Sequence, residues 1–98
     1  MAAYVINDME VTDPVAFERY RQLSPPTVAL YGGRFLARGG ATRTLEGSWS
    51  PRRLVILQFD SVERATAWLE SPEYAPARAL RQASARSQIV VTEGVAPA

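Results

Sequence analysis

Glu46, with Arg34 and Arg38 before it, is the group of side chains in this sequence best suited to chemistry. A carboxylate can act as a general acid or base, and a nearby guanidinium can hold an anionic group. The same charges also form ordinary salt bridges at surfaces and interfaces, and this is their commoner use. The residues therefore predict either a polar site or an ion pair, and their types alone do not choose between the two.

Four further residues complete the candidate ligand-binding set, and they are Tyr31, Trp68, Tyr74 and Arg81. The aromatic side chains can line a pocket between helices and a sheet, although aromatic residues at helical spacing more often lie in the core. Arg81 can reach a ligand carboxylate or pair with an acidic neighbour. No residue is assigned a catalytic role, and whether the protein is an enzyme stays open.

The sequence lacks histidine and cysteine, and all eleven of its basic residues are arginine. The imidazole base, the thiolate nucleophile, the Schiff-base amine and the common ligands of zinc and haem are therefore missing. We expect no metal and no cofactor. Without cysteine there is no disulfide framework, so a cytoplasmic location is the default expectation.

The balance of charge argues against a polyanionic partner. Eleven basic and ten acidic residues give a formal net charge of +1, which supplies no electrostatic reason to bind nucleic acid or an anionic membrane. No apolar run approaches transmembrane length, and no basic leader precedes the first strand-like pattern. We expect neither export nor membrane insertion.

A chain of 98 residues makes one domain, which we place at residues 1–94, followed by a disordered tail at 95–98. Apolar periodicity and turn signals predict the order strand, helix, strand, strand, strand, helix, strand. The predicted strands are Tyr4–Val11, Gly33–Ala37, Ala41–Gly47, Leu54–Phe59 and Ser87–Glu93.

The first helix is predicted to begin at Pro14 after the cap residue Asp13, to bend at Pro25-Pro26 and to end at Gly32. Its charged residues, Arg21 among them, are expected to face outward. Later helical segments begin after Ser61 and after Ser71. In the first strand Asn7 and Asp8 form an unexpected polar pair, and either one of them lines a pocket or the strand end reaches solvent.

The turn at Gly39-Gly40 is predicted to form a hairpin, and its length decides what faces Glu46. A two-residue turn pairs Arg34 with Leu45 and turns Glu46 to the other face. A three-residue loop with a bulge pairs Arg34 with Glu46 and gathers both arginines and the carboxylate on one side. We favour the second arrangement, because only that one makes a compact polar site.

This order of elements is close to a βαββαβ plan, an α+β arrangement in which one sheet carries its helices on one face. Nothing else in the chain can cover the opposite face. A second copy of the protein can, so we expect a homodimer.

The chain resembles, over nearly its whole length, a family of short bacterial proteins known as domain of unknown function 1330. The residues that carry the resemblance are Ala3-Tyr4, Thr12-Asp13-Pro14, Tyr20, Tyr31-Gly32-Gly33-Arg34-Phe35, Arg38-Gly39-Gly40, Leu45-Glu46-Gly47, Arg53-Leu54-Val55, Phe59, Trp68, Ser71-Pro72-Glu73-Tyr74 and Arg81. The resemblance implies a ferredoxin-like antiparallel sheet and a dimeric α/β barrel in which two sheets pack face to face. It implies no activity.

Three hypotheses about function remain. We favour a protein that binds a small organic molecule in a pocket of each subunit. The alternative is a cofactor-independent monooxygenase or isomerase, in which the substrate supplies the reactivity and Glu46 or a tyrosine moves the proton. The third is an interaction module whose only product is the dimer.

Overall fold

The computed structural model of the protein describes residues 1–96. Its elements are β1 (Ala3–Val11), α1 (Pro14–Leu30), β2 (Arg34–Arg38), β3 (Leu54–Phe59), α2 (Val62–Glu70), α3 (Ala75–Ser84) and β4 (Ala85–Glu93). Of the tail expected at 95–98, residues 97 and 98 lie outside the described residues. No helix within residues 1–96 is both long enough and apolar enough to cross a membrane.

The four strands form one antiparallel sheet in the order β2-β3-β1-β4. Burial alternates along the central strands, so that Val5, Asn7 and Met9 of β1 are buried, whereas Tyr4 and Ile6 are only half-buried. The shortest extent of the molecule is 16 Å, which leaves room for one layer of helices on the sheet and none on its other side. The predicted α+β ferredoxin-like arrangement, with the helices on one face, is confirmed.

The side of the sheet away from the helices, called the open face below, carries apolar side chains. Ile6 pairs with Ile56 on one side and with Val90 on the other, and Ala37 follows beyond Ile56, so these four residues cross the sheet in one row. Val90 is 59% exposed. Such a row has no partner within residues 1–96.

The predicted strand Ala41–Gly47 is wrong, and so is the Gly39-Gly40 hairpin. The chain leaves β2 in a loop that runs to β3, and β2 pairs with β3 itself. Every residue from 41 to 50 is exposed. Strand alternation is stable when one face is buried, and the alternating threonines here have no layer to pack against. Neither predicted register for Glu46 therefore applies.

The first helix is continuous through its two prolines. The Asp13 carboxylate accepts a hydrogen bond from Ala16 N at 3.2 Å, and Pro14 occupies the first turn, as predicted. Pro25 and Pro26 lie inside α1. A proline has no backbone N–H, so each one leaves a carbonyl oxygen one turn earlier without its helical partner.

Candidate ligand-binding cavity

A small cavity lies between α1 and the sheet, and we call it the inter-layer cavity. Its polar wall consists of Asn7, Tyr20, Arg21, Ser24, Arg38 and Arg53, and its apolar wall of Val5, Met9, Phe17, Phe35, Val55, Leu57, Trp68 and Ile89. Its volume is about 20 Å³, which accommodates about one water-sized group.

One row across the sheet forms the floor of this cavity. Asn7 in β1 lies between Ile89 in β4 and Val55 in β3, and Val55 in turn lies opposite Arg38 in β2. Since adjacent strands are about 4.8 Å apart, the backbones of Asn7 and Arg38 are separated by roughly 10 Å. The sheet thus places an amide and a guanidinium at two ends of the same floor.

A β-bulge directs Arg38 into the cavity. The pairing shifts between Phe35 and Ala37, where Phe35 lies opposite Leu57 and Ala37 lies opposite Ile56. In a regular strand Phe35 and Arg38 would point to opposite faces, because side chains alternate with a period of two. The extra residue brings both to the helix side. There the Arg38 guanidinium lies 4.6 Å from the centre of the Phe35 ring.

Pro25 in α1 leaves a backbone carbonyl oxygen free to anchor that guanidinium. Pro25 cannot donate to the carbonyl oxygen of Arg21, four residues earlier. Arg38 Nη2 fills the vacancy and donates to Arg21 O at 2.6 Å. Arg38 is therefore held by a neutral carbonyl oxygen, and its charge stays uncompensated by this contact.

Arg21, Arg38 and Arg53 form an arginine cluster at the cavity wall. The Arg53 guanidinium lies 5.3 Å from the centre of the Phe17 ring, and it packs directly against Gly39, leaving no room for a Cβ there. Burial first, and then the positive charges of Arg21 and Arg38, lower the pKa of Arg53 from its ordinary value. The three cations therefore interact repulsively.

Several polar atoms of the wall are buried and unsatisfied. Within residues 1–96, Asn7 Oδ1, Arg21 Nε and Arg53 Nε have no hydrogen-bond partner. Asn7 is only 6% exposed. Buried polar groups normally find partners, so each unpaired atom requires an explanation such as a bound molecule or ordered water.

A buried hydroxyl pair lies behind the cavity. The hydroxyl oxygens of Tyr20 and Tyr74 are 2.8 Å apart, and Arg81 Nε donates to the Tyr74 hydroxyl at 3.2 Å. Burial, reinforced by the contact with Tyr20, raises the pKa of Tyr74 well above its ordinary value, although Arg81 opposes the shift. Tyr20 lines the cavity, so it connects the cavity wall to the two inner residues.

The seven candidate residues from the sequence do not converge. Arg38 and Trp68 line the inter-layer cavity, while Tyr74 and Arg81 reach it only through Tyr20. The other three, Tyr31, Arg34 and Glu46, do not line it.

Each of these three residues has other neighbours. The Tyr31 hydroxyl donates to Glu73 Oε1 at 3.0 Å. Arg34 lies opposite Gln58 on the open face, and its Nη2 donates to Gln58 Oε1 at 3.0 Å. Glu46 is exposed in the loop after β2, in a surface hollow that includes neither Arg34 nor Arg38. The expected triad of Arg34, Arg38 and Glu46 does not form, because the strand that would have carried Glu46 is absent.

Four polar residues of the cavity wall were not among the candidates predicted from the sequence. They are Tyr20, Arg21, Ser24 and Arg53. Arg21 was expected to face outward, but it lies four residues after Phe17 and three before Ser24, and all three line the cavity. That helical spacing is the signal which would have found it. Asn7, one of the unexpected polar pair in β1, also lies in the wall.

A second cleft of about 90 Å³ lies between α2 and β4. It is lined mainly by apolar residues and shares Val5, Trp68 and Ile89 with the inter-layer cavity. Trp68 lies in the wall that the two spaces share. Its indole N–H donates to Thr27 Oγ1 at 3.1 Å, and its ring lies 4.3 Å from that of Tyr74. The two spaces are neighbours separated by side chains alone.

Comparison with known proteins finds a family and several solved structures. The family model described as domain of unknown function (DUF1330) matches residues 2–95. No curated protein matches the chain.

Three solved structures illustrate the structural likeness. A protein of unknown function from Rhodopseudomonas palustris, RPA0582, is 19% identical with a TM-score of 0.78, over 98% of this chain and 84% of that one. A dimeric ferredoxin-like protein of unknown function from Jannaschia sp. CCS1 is 18% identical with a TM-score of 0.67, over 96% and 100%. SnoaB, a cofactor-independent oxygenase from Streptomyces nogalater, is 15% identical with a TM-score of 0.57, over 98% and 95%. At such identities the likeness concerns the fold alone.

Proposed function

This chain belongs to the DUF1330 family, and from that premise we propose that it is a homodimeric protein which binds a small organic molecule in the inter-layer cavity of each protomer. Within this proposal Arg38 and Trp68 contact the ligand, and Tyr74 and Arg81 support the wall through Tyr20. Tyr31, Arg34 and Glu46 take no part in binding.

The observation that carries the proposal is the mixed lining of the cavity. Aromatic and aliphatic side chains make up most of the wall, and a smaller number of polar side chains complete it. This is the usual composition of small-molecule sites, in which apolar surface gives affinity and isolated polar groups give orientation. The unpaired Asn7 Oδ1, buried on the floor, supplies an acceptor for a ligand donor.

The ligand must displace side chains, because the enclosed space of about 20 Å³ holds only a water-sized group. One feature makes that displacement feasible. Beyond Val5, Trp68 and Ile89 lies the further cleft of about 90 Å³. A ligand thus places its polar end among the arginines and its apolar part against Phe17 and Phe35.

Dimerisation is supported by the open face. The row Val90, Ile6, Ile56 and Ala37 leaves apolar surface in water, whereas two such faces packed together would remove it. Strand spacings give the face an area on the order of 500 Å², so two faces would bury about 1,000 Å² in total, the lower end of the range for specific protein interfaces. The similar Jannaschia protein is itself described as dimeric.

Thermal denaturation in the presence of a panel of metabolites and aromatic acids tests ligand binding. A molecule that binds the folded state raises the midpoint in proportion to the logarithm of its concentration. Ser24→Leu, which fills the cavity from α1, should abolish that rise, whereas Leu23→Ala on the exposed side of the same helix should retain it. A rise that persists in Ser24→Leu would remove the ligand from this cavity.

A second candidate function is a cofactor-independent monooxygenase or isomerase, and the Tyr20–Tyr74 pair favours it. Tyr20 lines the cavity and its hydroxyl shares a hydrogen bond with a second hydroxyl, so within this proposal it gives or takes a proton next to a bound substrate. The similar SnoaB is described as a cofactor-independent oxygenase.

Oxygen uptake with electron-rich phenols tests the monooxygenase activity, and Tyr20→Phe should abolish turnover without preventing binding. Turnover that survives this change would exclude Tyr20 as the proton-transfer group.

A further inference from the structure

We infer that the ligand of the inter-layer cavity is an organic acid whose carboxylate is held by the arginine cluster, Arg21, Arg38 and Arg53. This inference rests on the proposed binding function and adds the chemical class of the ligand.

The first argument is the charge balance of the cluster. Arg21 pairs with Glu18 at 3.0 Å. Within residues 1–96, neither Arg38 nor Arg53 forms an ion pair with a carboxylate. The cluster therefore carries one acidic partner for three cations. Like charges that share a partly buried site are unfavourable unless an anion neutralises them. A bound carboxylate would supply that anion.

The second argument is preorganisation. Arg38 is held by Arg21 O and the Phe35 ring, and the Arg53 guanidinium lies over the Phe17 ring beside Gly39. A guanidinium with restricted orientation matches the planar geometry of a carboxylate and loses little freedom on binding. In addition, the buried Nε atoms of Arg21 and Arg53 are donors without a partner. The cluster thus has both fixed geometry and donors to spare.

The third argument concerns the rest of the ligand. Phe35 and Phe17 lie beside Arg38 and Arg53, and Trp68 lines the same cavity, so this part of the wall offers no charge. Inorganic phosphate would leave this apolar wall unused, whereas an aromatic or alkyl carboxylic acid occupies both regions at once. On the cavity floor, Asn7 Oδ1 is a buried acceptor to which no group within residues 1–96 donates. A hydroxyl group on the ligand would complete the match.

Matched pairs of acids and amides provide the test by isothermal titration calorimetry. The probes are benzoate with benzamide, phenylacetate with phenylacetamide and 4-hydroxybenzoate with 4-hydroxybenzamide, and inorganic phosphate serves as a separate anion. The amides keep the shape of the acids and remove the charge. We expect at least one acid to bind about tenfold or more tightly than its amide, since charge-assisted hydrogen bonds are stronger than neutral ones.

Variants locate the effect. Arg53→Gln should weaken binding of the acid by about tenfold or more and leave the amide unchanged. Arg34→Gln makes the same change of charge on the open face and should leave both unchanged. If Arg53→Gln fails to fold, Arg38→Lys serves instead, because it keeps the charge and removes the planar fork. A Kd for the acid that is the same in wild type and in the folded cluster variant would overturn the inference.

The outcomes separate this inference from the proposal beneath it. Equal affinity for acids and amides would overturn the carboxylate assignment and leave ligand binding intact. Binding of phosphate without any organic acid would overturn it in favour of an inorganic anion. No binding of any probe would overturn both. An acid-selective affinity that Arg53→Gln reduces and Arg34→Gln preserves would establish it.

Discussion

Gly39 illustrates, at the scale of a single residue, how backbone conformation and the arginine cluster depend on each other. Its φ is +70°, which side chains other than hydrogen adopt with strain, and a Cβ at this position would overlap the Arg53 guanidinium. The positive φ therefore favours glycine here, and a Cβ would in addition displace the Arg53 guanidinium. By contrast, a Cβ on Gly40 would meet open space.

Gly39→Ala should lower the free energy of unfolding by about 1–3 kcal/mol, because the strain of a left-handed residue is of that size. It should also weaken binding of any anion, since Arg53 is displaced. Gly40→Ala is the matched control and should change stability by less than about 0.5 kcal/mol. Urea denaturation of both variants provides the measurement. Equal stability of Gly39→Ala and wild type would contradict the conformational argument.

Tyr74 gives the protein an alkaline limit. Burial raises the pKa of Tyr74 above its ordinary value of 10.0, so the folded state keeps this proton after the unfolded chain has lost it. The associated stability is complete below pH 10 and is lost as the pH rises from there toward the folded-state pKa. Chemical denaturation between about pH 9 and pH 11 should reveal the decline.

Tyr74→Phe should make the decline above pH 10 shallower, because the titrating hydroxyl is gone. At neutral pH the same variant should be less stable by about 1–3 kcal/mol, since Tyr20 and Arg81 lose their partner. A slope identical to that of wild type would show that other groups govern alkaline unfolding.

Some residues of the cavity wall could be predicted from the sequence, and others could not. Trp68 and Arg38 were selected by type, and both line the cavity. Arg21 and Arg53 were missed because an arginine is usually solvated, and its burial depends on tertiary neighbours such as Phe17 and Gly39. Glu46 was selected for its chemistry, yet its position depended on a strand that does not form.

At the scale of elements, α1 combines a predictable feature with one that only packing reveals. The sequence predicts a bend at Pro25-Pro26 from the absence of two N–H groups, and the helix is continuous there. The use of the freed Arg21 carbonyl oxygen by Arg38 depends on the β2 bulge, which no local pattern announces. The hydrogen bond from Arg38 to Arg21 O thus depends on both a proline in α1 and a bulge in β2.

Pro25→Ala and Pro26→Ala separate the two roles of this segment. Each change restores a helical N–H, so each should raise the free energy of unfolding, by up to about 3 kcal/mol. In Pro25→Ala alone the new N–H competes with Arg38 for the Arg21 oxygen. We expect Pro25→Ala to gain less stability than Pro26→Ala and to bind aromatic acids several-fold more weakly. Denaturation and calorimetry measure the two effects, and equal behaviour of the variants would refute the anchoring role of that oxygen.

The loop between β2 and β3 explains the largest error in the sequence analysis. Thr42 and Thr44 alternate with Arg43 and Leu45 as in a strand, but Leu45 is 84% exposed and no strand pairs with the segment within residues 1–96. The loop is attached instead at its far end, where Trp49 Nε1 and Arg52 N donate to the Asp8 carboxylate. Alternation identifies a strand only when a neighbouring strand and a buried face exist.

For the whole molecule, the predictable part was the part governed by hydrophobic burial. Strong apolar patterns such as Leu54–Phe59 fix the strands, and cap residues such as Asp13 and Ser61 fix where helices begin. Together with short connections they leave few ways to arrange one sheet and its helices. The open face follows from the same argument, because the helices within residues 1–96 cover one side of the sheet only.

The proposed dimer of the whole molecule can be tested by placing a charge on the open face. Ile6→Glu puts a charge in the centre of the open face, between Ile56 and Val90. If two open faces pack together, this charge would be buried without a partner, at a cost of several kcal/mol per interface. Sedimentation velocity at micromolar concentration should then find wild type as a dimer and Ile6→Glu as a folded monomer.

Val15→Glu is the control for this change, since Val15 is 79% exposed on α1, away from the sheet. It introduces the same charge and should sediment as wild type does. Circular dichroism of both variants verifies that they are folded. The monomer should also keep an intact cavity, because the cavity lies on the helix side of the sheet and Ile6 lies on the opposite face. Ile6→Glu should therefore bind aromatic acids with wild-type affinity, so that assembly and ligand recognition are separable. A wild-type protein that sediments as a monomer would refute the dimer and leave the cavity to be judged on its own titrations.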